Sequence, residues 1–305
     1  MSASSVNEPA MNRFKSFSLA RIWTIATNTV TQLVRMKILA FLIVFAVVVV
    51  AAAFAFPAMS PQQQLKLLKD VVFGALQLFS IVIAITATAL LLPRDVEDRT
   101  LYTILSKPVP RHEYLIGKLL GVLLLIGAGL FIMDIFFCGV VWLKQSLITA
   151  NQIAALQAEQ SATPDNVAAV TDYISREGLS WSLHAGVWCV FLKAAVVASL
   201  ALLMSCVATS TLFTIIVSFC FTIAGQGEGM LRTYVFKALS VTWKKILSFL
   251  LAVVCPDLTL FDEVQAVIEG KVIPKDTLAQ ITGFALIYVV LYTAVAHLIF
   301  SEKEL

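Results

Sequence analysis

The feature that most constrains this chain is the recurrence of apolar runs about as long as a bilayer is thick. A hydrocarbon core of about 30 Å is crossed by about 20 helical residues, because each residue advances about 1.5 Å. Five runs answer to that ruler: Ile38 to Phe56, Val71 to Leu92, Leu115 to Leu143, Leu183 to Val207, and Leu212 to Ala224, which reaches it when counted from Ser210. A sixth run, Leu278 to Phe300, comes last. Between the last two, Ile246 to Cys255 is an apolar decamer held between Lys244, Lys245 and Pro256. It is too short to cross and suits a re-entrant or interfacial helix, with a seventh span as the alternative.

Composition agrees. Of the 305 residues, 59% are hydrophobic and 13% charged, against roughly 45–50% and 25% in soluble domains. The expected fold is all-α: a polytopic membrane protein with six transmembrane helices, forming one domain over residues 1–305. A net charge of +3, with no Lys/Arg run, excludes a nucleic-acid surface. The five cysteines (Cys138, Cys189, Cys206, Cys220 and Cys255) are widely spaced and form no CxxC or Cys/His pattern, so neither a disulfide frame nor a metal site is expected. The first long apolar run starts near Ile38, later than a secretory leader's core would, so the N-terminus is expected to be retained.

Orientation follows from Lys and Arg near span ends. Arg13, Lys15, Arg21, Arg35 and Lys37 precede the first span, whereas the next loop offers only Lys66 and Lys69. Residues 1–37 are thus cytoplasmic. With spans near 38–56, 71–92, 115–143, 183–207, 210–225 and 278–300, the 93–114 loop and both termini fall inside, and 144–182 and 226–277 fall outside. The 226–277 segment holds six Lys/Arg and weighs against that side, although Arg232, Lys237, Lys244 and Lys245 can snorkel from an outer amphipathic helix. Ahead of the first span, Ile22, Ile25, Thr29, Leu33 and Met36 share one face of a helix. That pattern predicts an amphipathic interfacial helix, or a cytoplasmic extension of the first span. The Gln/Ala/Ser-rich stretch from Gln152 to Ala168 is expected to be a solvated outer loop, part of it helical.

The most informative segment runs from Pro93 to Lys118, PRDVEDRTLYTILSKPVPRHEYLIGK. Pro93 is expected to break the second span's helix. Asp95, Glu97 and Asp98 then suit the first turn of a new helix, where the dipole favours carboxylates. That helix would pack Val96, Leu101, Ile104 and Leu105 on one side and stop at Pro108 and Pro110. The expectation is a short charged helix held between two spans.

Here the sequence resembles a known family. The run Glu97, Thr100, Leu101, Leu105, Ser106, Pro108, Val109, Arg111, Tyr114, Gly117 and Lys118 is similar to the segment between the second and third spans of ABC type-2 permeases, the membrane subunits of ATP-binding-cassette exporters. Arg21 to Leu39 is similar to that family's amphipathic first helix. Pro256, Asp257, Leu258 and Phe261 resemble its outer Pro-Asn-Leu…Phe element, with Asp257 in place of the commoner Asn. The resemblance implies a permease in the cytoplasmic (inner) membrane that pairs with a second permease, identical or similar, and with two ATPase subunits. It also implies an ATPase-coupling segment carrying Asp95, Glu97, Asp98, Arg99, Thr100, Leu101, Leu105 and Arg111.

No GxxxxGK[ST], HExxH or GxSxG string occurs, so no catalytic residue and no cofactor are assigned, and ATP hydrolysis is expected from the partner. His112, His184 and His297 are far apart in sequence and read as interfacial side chains. Two charges lie inside spans, Asp134 and Lys193, where a lone charge costs roughly 2.5–3.5 kcal/mol. Counted from outer helix ends at Leu143 and His184, both sit nine residues in, or roughly 13 Å. Antiparallel neighbours would place them level, which predicts an Asp134–Lys193 ion pair acting as a clasp or as part of a translocation path, the alternative being that they are unpaired. Gln77 is a weaker polar candidate. Two rival functions remain, an ion-gradient-driven secondary transporter and a non-transporting membrane scaffold.

Overall fold

The stretch Trp181–Val207 is apolar around its whole circumference except for His184, Lys193 and three serines, and a helix of that kind must be covered on every side. It is the axis of the protein. In its most apolar stretch 83% of residues are buried, against 22% for the last helix of the chain, which places the one at the centre and the other at the periphery.

The structure is a computed structural model and describes residues 18–35, 40–54, 60–97, 110–160, 163–208, 210–238 and 255–302. Among these residues every regular element is helical. The order is α1 (Leu19–Arg35), α2 (Ala40–Phe54), α3 (Pro61–Glu97), α4 (Arg111–Ala158), α5 (Pro164–Glu177), α6 (Trp181–Val207), α7 (Thr211–Ala238), a 3-10 turn (Leu258–Phe261), α8 (Val264–Ile268) and α9 (Lys275–Glu302). Helices α3, α4, α7 and α9 pack around α6, and α2 lies against α3 and α4. Four helices are long and apolar enough to cross a membrane, over Gln63–Leu91, Arg111–Ala158, Trp181–Val207 and Lys275–Glu302. Two shorter apolar stretches, Ile43–Phe54 and Thr211–Gly227, lie beside them.

The bundle has two distinct ends. At one, α1 packs on the first turns of α4, and the C-terminal end of α9 meets Arg111 and Tyr114: the Tyr114 and Phe300 rings stack 6.2 Å apart, and Arg111 donates to the Phe300 and Ser301 carbonyls at 3.0 and 2.9 Å. At the other, α4 runs on to pair with α5. Leu65, Ile148 and Ile174, from α3, α4 and α5, form a small apolar cluster there. The 48 residues of α4 extend about 72 Å, more than twice a hydrocarbon core, so this hairpin projects well beyond one.

Several expectations are refined. The run Leu115 to Leu143 is the middle of α4, and most of the stretch read as a loop from Gln152 to Ala168 belongs to α4 and α5. The run Ser210 to Ala224 continues as α7 to Ala238. Pro93 does not break its helix: α3 passes through it to Glu97, which puts Asp95 and Glu97 in the last turn of α3 and not in the first turn of a new helix. A proline removes one backbone hydrogen bond and crowds the preceding turn. Packing of α3 against α6 and α4, with Leu91 and Ala89 buried, holds the backbone through that defect. The rest of the expected coupling helix, with Asp98, Arg99, Thr100, Leu101 and Leu105, lies outside the described residues, as does Ile246 to Val254.

The stripe on α1 exists, and its cover is protein. Ile22, Ala26, Thr29 and Leu33 are buried, and α1 runs parallel to α4. A Cβ at Gly117 would stand 2.8 Å from Ile25 Cβ, and one at Gly121 2.6 Å from Thr29 Cβ. Only glycine allows the two backbones so close. On the outer face the hydroxyls of Thr24, Thr27 and Thr31 donate to carbonyls one turn back, which satisfies them inside a helix.

Candidate functional site

A buried ammonium needs a partner, and Lys193 is 1% exposed at the centre of α6. Its Nζ donates to Asp262 Oδ1 at 3.0 Å and to Gln226 Oε1 at 3.3 Å. Gln77 Nε2, from α3, stands 3.5 Å from the same Asp262 oxygen. Three helices and one loop thus converge on one ion pair.

Local sequence explains how the loop gets there. Pro256 and Asp257 lead into the 3-10 turn, and Asp257 Oδ1 accepts from the backbone N–H of Thr259 at 3.1 Å and from its hydroxyl. This caps the turn and drives Leu258 and Phe261 into the core, at 0% and 1% exposure. The next residue is Asp262, which the turn holds over Lys193. Gly225 on α7 lets the loop close in, because a Cβ there would collide with the Pro256 carbonyl oxygen.

The expected Asp134–Lys193 pair is not what forms. Asp134 Oδ2 contacts His184 Nδ1 at 2.6 Å, and Lys193 takes Asp262. The cause is the length of α4. Leu143 is not its outer end, since the helix continues to Ala158, so Asp134 faces the first turn of α6 and not its ninth residue. Asp262 was missed because its loop position carries no periodic signal. The available hint was that a lysine inside a span demands a counter-ion, and the resembling element Pro256 to Phe261 ends one residue before Asp262. Gln77 does reach the cluster.

A second ion pair fastens the opposite end. Arg21 Nε donates to Glu113 Oε2 at 2.6 Å and Arg21 Nη2 to Oε1 at 2.9 Å, while the Ser18 backbone N–H donates to Oε1 at 2.9 Å. The two-pronged contact suits a planar guanidinium. The Glu113 hydrogen bond raises the Arg21 pKa above its already high ordinary value. Lys118 Nζ adds a contact to Gln32 at 3.4 Å. Arg111, the only expected coupling residue whose side chain is described, caps the carbonyls of α9 as above, with its guanidinium 5.8 Å from the Phe300 ring centre.

Two of the three histidines, far apart in sequence, are brought together. The His112 and His297 rings lie 5.7 Å apart, edge to face, at the head of an apolar groove of about 430 Å³ between α4 and α9. His184 borders a second pocket of about 490 Å³ with Asp134.

No protein-family model matches the chain, and no curated protein sequence matches it. Fold and site define a class: among the described residues, an all-helical membrane protein with four helices long and apolar enough to cross a bilayer, in which the buried Lys193 and Glu113 are each paired with a charge on another element.

Proposed function

We propose that this chain is the permease subunit of an ATP-binding-cassette exporter, moving a substrate across the cytoplasmic membrane with ATP hydrolysed by a separate subunit. The observation that carries the reading is the charged stretch from Asp95 to Arg111, strung between the end of α3 and the start of α4, helices of 37 and 48 residues. A partner pressing on such a connection moves two long helices together, and rigid elements transmit that displacement where floppy ones absorb it. The resemblance of this stretch, of α1 and of the Pro256 turn to ABC type-2 permeases supplies the identity of the partner.

In this reading the two shorter apolar helices also cross, for six spans with both termini in the cytoplasm, and the α5 hairpin and the Asp262 loop face outward. The Arg21–Glu113 pair makes α1 and the base of α4 one unit at the cytoplasmic end, and the Lys193–Asp262 pair ties the outer loop to the central helix. Exposed apolar faces, such as Phe284, Ile287 and Val290 on α9, fit lipid or the second permease of a dimer, with two ATPase copies below.

Affinity purification of the tagged chain from its native membrane, with ATPase activity assayed on wild type and on Glu97→Arg, tests the reading. A vanadate-sensitive ATPase is expected with the wild type and lost with Glu97→Arg. If no ATPase accompanies the wild type under mild solubilisation, the proposal is wrong.

A further inference from the structure

Three donors of different chemistry meet between α4 and α6, apart from everything the transport reading uses. Asp134 and Cys138 are four residues apart on α4 and so share a face, and His184 reaches them from the first turn of α6. His184 Nδ1 is 2.6 Å from Asp134 Oδ2, and Cys138 Sγ is 3.9 Å from Asp134 Oδ1. The three ligating atoms all lie within 4.8 Å of one another. We propose that they form a binding site for one divalent first-row cation of the zinc type, with Asp134, Cys138 and His184 as protein ligands and a fourth position open to the adjoining pocket.

The distances fit. Zinc bonds of about 2.0–2.3 Å in tetrahedral array place ligand atoms about 3.3–3.7 Å apart. Cys138 Sγ stands 3.9 Å from Asp134 Oδ1, the oxygen that His184 does not contact, and the three ligating atoms, within 4.8 Å of one another, need to draw in by about 1 Å at most. The His184 Nδ1–Asp134 Oδ2 contact must open by about 0.7 Å to admit the cation, with the imidazole ligating through Nδ1 and carrying its one proton on Nε2. Cys138 binds as thiolate, so its proton passes to solvent on loading.

The donor set selects the ion. One nitrogen, one sulfur and one oxygen are poor for magnesium and calcium, which take oxygen shells, and poorer in sulfur than Cu(I) sites. The His184 side chain is 41% exposed while that of Asp134 is 10% exposed, so the cluster opens on the histidine side. There the pocket of about 490 Å³ is walled by Trp181, Trp188 and Phe191, and the Trp181 ring lies 5.3 Å from the imidazole, edge to face. Three protein ligands leave the fourth position for water or another small ligand, in contrast to closed four-ligand structural sites. Sequence spacing hides it because His184 lies 50 residues from Asp134.

The proposal does not depend on the exporter reading and is tested on the purified full-length chain in detergent. Titration with Co²⁺ is expected to give a thiolate-to-cobalt charge-transfer band that saturates at one equivalent, is displaced by Zn²⁺ and is untouched by Mg²⁺. Cys138→Ser should abolish the band, and His184→Ala should weaken binding roughly 10-fold or more, while Cys189→Ser, at a buried cysteine outside the cluster, should leave it unchanged. Should Cys138→Ser fail to fold, by size-exclusion profile, His184→Ala at its exposed position decides alone. Absence of the band in wild type, its persistence in Cys138→Ser, or unaltered affinity in His184→Ala would overturn the assignment.

Discussion

Replacing Gly121 by alanine tests whether α1 is a packed part of the bundle, and the structure supplies both the magnitude and a control. The added Cβ would stand 2.6 Å from Thr29 Cβ and 2.8 Å from the Ala26 carbonyl oxygen. Carbon atoms pack best at about 3.5–4.0 Å, so α1 must retreat by roughly 1 Å along a face that buries Ile22, Ala26 and Leu33. Overpacking of this kind costs about 1–3 kcal/mol. Alanine also favours the helix over glycine by about 0.5–1 kcal/mol, which offsets part of the loss. Gly139 on the same helix meets nothing within 4 Å, so Gly139→Ala carries the propensity gain without the clash. The difference between the two variants therefore isolates the α1–α4 contact at about 1–3 kcal/mol. Unfolding by SDS titration in mixed micelles, followed by tryptophan fluorescence, measures both. If Gly121→Ala is as stable as Gly139→Ala, α1 does not lie against α4 and the Arg21–Glu113 pair goes with it.

Asp262→Asn keeps an acceptor oxygen near the Lys193 ammonium but removes its counter-charge; because Asp262 is itself half exposed, the loss is about 1–3 kcal/mol. Adding Lys193→Met should recover most of it, and a double-mutant cycle that proves additive would refute the pairing. Arg111→Ala removes the donor to the Phe300 and Ser301 carbonyls, and faster amide hydrogen exchange is expected over the last turn of α9 with the middle of that helix unchanged.

Much of the fold was legible because apolar length is a local property. The positions of α2, α3, α4, α6, α7 and α9 follow from their runs, and the amphipathic face of α1 follows from its 3.6-residue period. Helix ends were less legible. Pro93 reads as a breaker, yet tertiary packing carries α3 through it to Glu97, and the polar continuation of α4 past Leu143 has no hydropathy signal, since it is stabilised by α5 and Leu65. That single misplaced end also misassigned the partners of Asp134 and Lys193.

The sequence by itself determined that the chain is helical and apolar enough for a bilayer, that charges inside its spans must be paired, and which segments resemble a known family of permeases. Tertiary structure alone decided which charge meets which. Helix register depends on where each helix ends and on how closely two backbones approach, as at Gly117, Gly121 and Gly225, and both are set by contacts between residues distant in the chain. Lys193 therefore meets Asp262, 69 residues on, and Asp134 and Cys138 meet His184 for the same reason.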